Sequence, residues 1–299
     1  MERTKNIKIP NLILCSDFHI REDIPSCFIG DFQKEQWDAL DFISKLQQRH
    51  NIPILHGGDF FHRWKASPWL LTKAMKHLPA KFFSCAGQHD LPQHSLELID
   101  KSGFGTLVES EYINTENDWD DMLTNLNLQI CHWGQEPVKM DKRTTNILLW
   151  HHTTYLQKPF PGAEGGMAEG VLRKYDYANL IVTGDIHQSF TTKYMGRRLV
   201  NPGNMTRQSA AQIDFKPCIW LWYAEDNSVE QVFLPIQDNV ITREHIDIKE
   251  QRNERIDAFV EELQSDWESN MSFEDNLKRF QEKNDIEKDV MSLIYKSIE

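Results

Sequence analysis

The sequence predicts an α/β sandwich, two sheets flanked by helices, followed by a small, mostly helical C-terminal region. Three observations predict it. Short apolar runs recur from Asn11 onward, and five of them end in a cluster rich in Gly, Asp, Gln or His. Segments with helical spacing separate the early runs, which is the βα alternation of a layered fold. From Arg198 to Pro235 strand-like runs follow one another without such segments.

Taken in order, Asn11–Cys15 is a short apolar run ending in Ser16-Asp17 and reads as a buried strand. Trp37, Leu40, Ile43 and Leu46 share one helical face. Ile52–Leu55 is the next strand, ending at Gly57-Gly58-Asp59. Ser67-Pro68 is a helix start, a capping hydroxyl followed by proline in the first turn, and Leu71, Met75 and Leu78 mark a face of that helix. Lys81–Ala86 is strand-like and leads to Gly87-Gln88-His89-Asp90. Residues 109–145 hold short strand-like pieces, including Leu128–Cys131. Ile147–Trp150 leads to His151, and Leu180–Thr183 leads to Gly184-Asp185-Ile186-His187. Leu199-Val200, Cys218–Tyr223 and Val229–Leu234 supply the later strands.

The expected division is a core over residues 1–237 and a cap or partner-docking region over residues 238–299. In the latter, Ile256, Phe259, Val260 and Leu263 fall on one helical face. Ser272 and Asp275 resemble a capping box ahead of Leu277 and Phe280, and Ile286, Val290, Leu293, Ile294 and Ile298 continue the spacing.

At 299 residues with 40% apolar content, the chain has room for one large domain and an appendage. No apolar stretch approaches the roughly 20 residues of a membrane span, and the N-terminal residues lack a signal-peptide apolar region. Five scattered cysteines without a CxxC pair suggest a reduced, cytoplasmic setting. The net charge of −12 argues against a broad basic surface for nucleic acid. It leaves a nuclease open, because bound metals or a partner can supply positive charge locally.

The five motifs carry the chemistry. They are Asp17-Phe18-His19, Gly58-Asp59, Gly87-Gln88-His89-Asp90, His151-His152 and Gly184-Asp185-Ile186-His187. Each alone is compatible with a cap or a turn. Together, each after a strand, they offer the carboxylate, imidazole and amide ligands of a two-metal hydrolytic centre. Asp59, after two glycines that permit a tight turn, suits a bridging carboxylate. His89, beside a ligand position, is placed to protonate a leaving oxygen. His56 and His62 flank the bridge motif and read as supporting or packing residues.

These motifs resemble the calcineurin-like metallophosphoesterase superfamily, and within it the Mre11/SbcD nuclease family in a minimal bacteriophage or bacterial form. His89-Asp90-Leu91-Pro92, the segment Asn201-Pro202-Gly203-Asn204-Met205-Thr206-Arg207 and the acidic helical tail carry the narrower likeness. The resemblance implies that Asp17, His19, Asp59 and His187 hold one metal and that Asp59, Gln88, His151 and Asp185 hold the other. His151 is preferred to His152 because the family strand ends directly in the ligand. His89 is implied as the acid or transition-state stabiliser. Asn201 and Arg207 are implied as substrate contacts, with Arg207 either touching phosphate or bracing its loop. The sequence departs from the family at Gln88, where Asn is usual, and at Asp185, where His is usual. The second change replaces a nitrogen ligand by oxygen and favours Mn²⁺ or Mg²⁺.

The function so implied is a Mn²⁺-dependent DNA exonuclease and endonuclease in DNA repair or recombination. Its implied partners are an SbcC/Rad50-like ATPase and, as a homodimer, a second copy. Its setting would be a bacterial cell or a phage-infected host cytoplasm. Two alternatives stand beside it: a DNA-end scaffold with a weakened centre, and a small-molecule phosphodiesterase.

Overall fold

The computed structural model describes residues 8–117, 126–244, 246, 248, 250, 252, 253, 255, 256 and 272–284. The chain divides into two compact units, Met1–Thr242 and Arg243–Glu299.

The first unit is built on two five-stranded sheets. In the first, β1 (Leu12–Cys15), β2 (Ile54–His56) and β3 (Phe82–Ser84) run parallel. They are extended by antiparallel β11 (Cys218–Tyr223) and β12 (Ser228–Phe233), in the order β12-β11-β1-β2-β3. In the second, β4 (Leu126–Cys131), β5 (Thr145–Trp150), β8 (Leu180–Thr183) and β10 (Arg197–Asn201) run parallel, with antiparallel β9 (Phe190–Tyr194) at the edge. A two-stranded pair, β6 (Thr154–Tyr155) and β7 (Gly166–Met167), lies between β5 and the next helix in sequence.

The strands are short apolar runs because both faces are covered, as parallel sheets require. Leu12, Leu14, Leu55 and Phe83 from the first sheet meet Ile147, Leu149, Leu180 and Val182 from the second, all buried. The alternate residues Ile13, Ile54 and Phe82 point the other way. There they pack on α1 (Phe32–His50), α2 (Pro68–His77) and α3 (Gly103–Glu109) through Leu40, Ile43, Leu70, Ala74, Phe104 and Leu107. The outer face of the second sheet is covered by α4 (Ala168–Lys174) through Val171 and Leu172. A buried Leu or Ile contributes roughly 1.5–3 kcal/mol, so these three layers, rather than the short strand ladders, hold the strand ends in place.

Local signals explain the boundaries. Asp31 caps α1 by accepting from Lys34 N at 2.9 Å, and Asn51 ends it in the left-handed region. Ser67 caps α2, accepting from Leu70 N at 3.1 Å. Three features exceed the sequence expectation. α4, β9 and the β6–β7 pair have no clear hydrophobic period of their own and form on the layers they cover. The first unit also runs to Thr242 rather than to residue 237, because Ile29 N donates to Val240 O at 2.8 Å and Phe28 bridges to Ile241.

In the second unit, α5 (Phe273–Asn284) starts at Ser272, whose hydroxyl accepts from Asp275 N at 3.1 Å. Leu277 and Phe280 are buried, and Ile256 is exposed. Phe259, Val260, Leu263, Ile286, Val290, Leu293, Ile294 and Ile298 lie outside the described residues. All five cysteines are buried and free. Among the described residues no helix is long and apolar enough to cross a membrane.

Candidate metal centre

All five motifs leave the carboxyl ends of parallel strands, three in the first sheet and two in the second. Facing sheets therefore deliver them to one place. The loop after β1 is laced to the loop after β2: Asp17 N donates to Gly58 O and His19 N to Asp59 O, each at 3.0 Å. Asp17, His19, Asp59 and Asp185 all have positive φ (49°, 45°, 55° and 82°). Each such non-glycine residue carries strain of about 1–3 kcal/mol, so the packed sheets are spending stability to aim these four side chains. Gly58, at φ 97°, has no such freedom to change, since a Cβ there would strike the His151 ring. A Cβ at Gly87 would strike the Asp59 carboxylate.

The side chains converge closely. Asp59 Oδ2 lies 3.7 Å from His19 Nε2 and 3.6 Å from His151 Nε2, within reach of both imidazoles. His19 Nε2 faces His187 Nε2 at 3.1 Å and lies 3.9 Å from Asp17 Oδ1. His151 Nε2 meets Gln88 Oε1 at 2.6 Å, and Gln88 Nε2 donates to Asp185 Oδ1 at 2.5 Å. Three groups of side chains among the described residues lie close enough to share a cation: Asp17, His19 and His187; Asp17, Asp59 and His151, with Asp17 common to both; and His19, His62 and His89. Bonds of about 2.1 Å to a divalent cation leave ligand atoms roughly 3–4 Å apart, as found among Asp17, His19, Asp59, His151 and His187. The extra methylene of Gln88 is accommodated: its amide lies between His151 and Asp185.

His151 Nδ1 faces Gly57 O at 2.5 Å, and a carbonyl only accepts, so Nδ1 carries the proton. In the neutral ring, Nε2 then presents a lone pair to the Gln88 oxygen. A cation faced by both acceptors would resolve that conflict, as it would for the opposed nitrogens of His19 and His187. His152 instead stacks on Trp150, with ring centroids 3.7 Å apart.

The electrostatics agree with a cation site. Burial pushes the Asp17 carboxyl up to about 8, with the Asp59 charge adding to the shift and His151, Ser16 and the Asp185 N–H opposing it. Burial likewise raises Asp59, against the N–H of His89 that it accepts at 2.9 Å. Burial holds His19 below the usual imidazole range, in the neutral form that ligates metal; His187, exposed at the rim, is shifted the same way by partial desolvation and the neighbouring imidazoles His89 and His151. Divalent cations would compensate two buried carboxylates that water no longer reaches.

A pH effect follows in the metal-free protein. Between pH 6.5 and 8 the folded state holds a proton on Asp17 that the unfolded chain has released, so stability falls as pH rises. Below pH 6.5 the depressed histidines act in the opposite direction, since the unfolded chain binds more protons there. The melting temperature in EDTA is expected to fall from pH 6.5 to pH 8, and Mn²⁺ at pH 8 to restore it. A melting temperature that rises over this window in EDTA would refute the buried-carboxylate account.

His89 stands beside the ligands. Its ring is 4.8 Å from that of His19, edge on, and Nδ1 donates to His62 O at 2.8 Å. That bond fixes the tautomer and leaves Nε2 as the free nitrogen. His62 stacks on His89 at 5.7 Å, and burial and Arg21 depress it to about 4. His56 is buried under the loop, against Phe18 and Ser84.

Asn201 and Arg207 are not brought to the centre as substrate contacts. Asn201 is buried, and its amide donates to Ile186 O and Gln188 O at 2.6 and 2.8 Å, so it shapes the loop bearing His187. Arg207 is buried, donates to Gln237 O at 2.5 Å and pairs with Glu35 at 3.5 Å, so it braces its own segment. Sequence reasoning missed other residues. Asp90 accepts from Phe60 N, Phe61 N and Gly87 N at 2.9–3.0 Å and so ties the second motif to the third. Its position inside a ligand motif was the available signal. Thr153 donates to Asp185, and Ser16 to Asp17. Ser16 adjoins a motif, whereas only the fold brings Thr153 to Asp185.

The family model for calcineurin-like phosphoesterases matches residues 11–189, the stretch that holds all five motifs. No curated protein matches the chain. Solved structures similar in fold include an archaeal phosphodiesterase (14% identity, TM-score 0.40, covering 75% of this chain and 99% of that one). A second is TT1561 of Thermus thermophilus (11%, TM-score 0.46, 76% and 100%). A third is the phosphopantetheinyl hydrolase of Mycobacterium tuberculosis (14%, TM-score 0.45, 75% and 96%).

Proposed function

The chain belongs to the calcineurin-like phosphoesterase family, and from that premise we propose that its phosphoester hydrolysis is directed at DNA phosphodiesters, with Mn²⁺ as the working metal. The observation that carries the reading is the convergence of the five strand-end motifs on Asp59, with His89 free at Nε2 beside them. The motif text His89-Asp90-Leu91-Pro92 supports the narrower, nuclease assignment. An SbcC/Rad50-like ATPase partner, a homodimer and a cytoplasmic setting complete the proposal.

Asp17, His19, Asp59 and His187 would hold one metal, and Asp59, Gln88, His151 and Asp185 the other. Divalent metals in such a site activate water and neutralise phosphate charge. The chain's own residues do the rest. Thr153 and Gln88 fix the Asp185 carboxylate. Asp90 fixes the turn that carries Asp59. His62 O holds Nδ1 of His89, so that in the cationic ring Nε2–H is the proton offered to the leaving oxygen.

A small-molecule phosphodiesterase is the second reading. A cavity of about 870 Å³ beside His187, lined by Tyr155, Leu156, Lys158 and Phe190 among others, favours it. The deciding assay is hydrolysis of a labelled DNA duplex and single strand with Mn²⁺, Mg²⁺ or EDTA, beside bis(p-nitrophenyl) phosphate. Mn²⁺-dependent cutting of DNA is the expected result. Hydrolysis of the small diester without any cutting of DNA would overturn the nuclease reading in favour of the second.

A further inference from the structure

The stretch from Phe60 to His89 carries Arg63, Lys65, Lys73, Lys76 and Lys81 and no aspartate or glutamate, within a chain of net charge −12. It begins one residue after Asp59 and ends at His89, so this local excess of positive charge is attached to the metal centre at both ends.

Its most exposed part is the loop Arg63-Trp64-Lys65, whose three side chains all face solvent; Trp64 is 38% exposed. The backbone beneath is fixed. Gly103 N donates to Trp64 O at 2.8 Å, Ala66 is in close contact with Gly103, and Ser67 caps α2. Beside the loop is a cavity of about 170 Å³ lined by Arg21, His62, Arg63 and Lys65, among others. Of the two carboxylates that reach it, Asp23 is engaged by Arg21, whose Nε donates to it at 3.0 Å. Glu22 is the other lining carboxylate. The cavity adjoins the centre through His62, which stacks on His89. Beyond the loop, Trp69 is 47% exposed, with the Lys73 ammonium 5.7 Å from its ring centre.

A cation, an exposed indole and a second cation in succession match the phosphate–base–phosphate repeat of a single strand. Base–aromatic stacking and backbone charge contacts are how such strands are held without reading their sequence. A one-phosphate small molecule has no use for an extended set of this kind. We propose that Arg63, Trp64 and Lys65 form the strand-holding subsite: Arg63 and Lys65 take phosphates flanking the scissile one, and Trp64 stacks a base. The proposal rests on the nuclease reading and specifies a single-stranded polynucleotide that extends past the scissile bond on the His62 side.

Binding and catalysis test it separately. Anisotropy of a fluorescein-labelled oligothymidylate in EDTA reads binding without turnover. Arg63→Ala/Lys65→Ala is expected to weaken binding at least about 10-fold at low salt. It should also flatten the slope of log K against log salt by about 1.4, because each phosphate contact on a single strand contributes about 0.7. Trp64→Ala should weaken binding roughly 5- to 150-fold with the slope unchanged. A merely structural role would not move the slope with the two cations alone. Unchanged binding and slope in the double variant, or no strand binding by the wild type, overturns the proposal. In the hydrolysis assay with Mn²⁺, the double variant should raise KM for the oligonucleotide while kcat/KM for bis(p-nitrophenyl) phosphate stays within about twofold. Equal losses on both substrates also overturn it. If the wild type cuts no DNA but binds the strand with the expected slope, the nuclease reading fails and the subsite stands.

Discussion

Asp59→Asn is expected to abolish Mn²⁺ binding and turnover together, while making the metal-free protein more stable rather than less. The two effects have one origin. Asp59 is 1% exposed, its carboxylate lies within 4 Å of both His19 and His151, and burial raises its pKa. A carboxylate so placed costs folding energy unless a cation compensates it. Asn has nearly the same shape and keeps an oxygen to accept from His89 N, so the loop geometry survives and only the charge is removed. Losing the residue proposed to share both metals should exceed the roughly 10–100-fold affinity loss typical of an outer supporting group. Calorimetric titration with Mn²⁺ and thermal melting at pH 8 in EDTA and in Mn²⁺ measure the two halves. Wild type should gain stability on adding metal, by about 2.7 kcal/mol at 100 times the dissociation constant, and Asp59→Asn should gain none. A variant that binds Mn²⁺ with wild-type affinity would remove Asp59 from the bridging position.

That opposition between stability and function also explains what could be read in the sequence. The runs ending at Ser16, Gly57, Gly87, His151 and Gly184 were legible because strands buried on both faces are written as continuous apolar text. The residues after them are too polar and too closely spaced to serve as turns alone. The choice between His151 and His152 needed the resemblance, because adjacent residues on an extended strand end carry no period to separate them. The structure separates them by partner: Gly57 O for the first and the Trp150 ring for the second. Arg207 takes the bracing role that the sequence left open beside phosphate contact, and Asn201 is turned to its own loop rather than to the centre, for a physical reason. Polar residues in a loop near a motif read as substrate contacts, yet here they donate to loop carbonyls and pair with a buried carboxylate. Thr153 was invisible because its contact with Asp185 spans two strands and depends on register. The helix α4 and strand β9 were missed for a similar reason, since tertiary packing rather than local pattern selects them.

His89→Ala should separate proton delivery from metal binding. No atom of His89 belongs to the two ligand sets built around Asp17, and its Nδ1 is committed to His62 O. Removing the ring therefore leaves Asp59 and its neighbours in place; the His89 backbone N–H that Asp59 accepts is retained. Mn²⁺ affinity should stay within a few-fold of wild type, whereas the proposed turnover on DNA should fall by about 10²–10⁴, the range for a positioned general acid. The substrate dependence identifies the role. An alkoxide leaving from DNA needs a proton, but p-nitrophenolate is stable without one, so bis(p-nitrophenyl) phosphate should lose far less. If both substrates lose equally, Nε2 stabilises charge on the phosphoryl oxygens instead of protonating the leaving group. Normal DNA hydrolysis by the variant would remove His89 from the chemistry altogether. The His62 carbonyl would then hold a ring whose only function is to pack against His19.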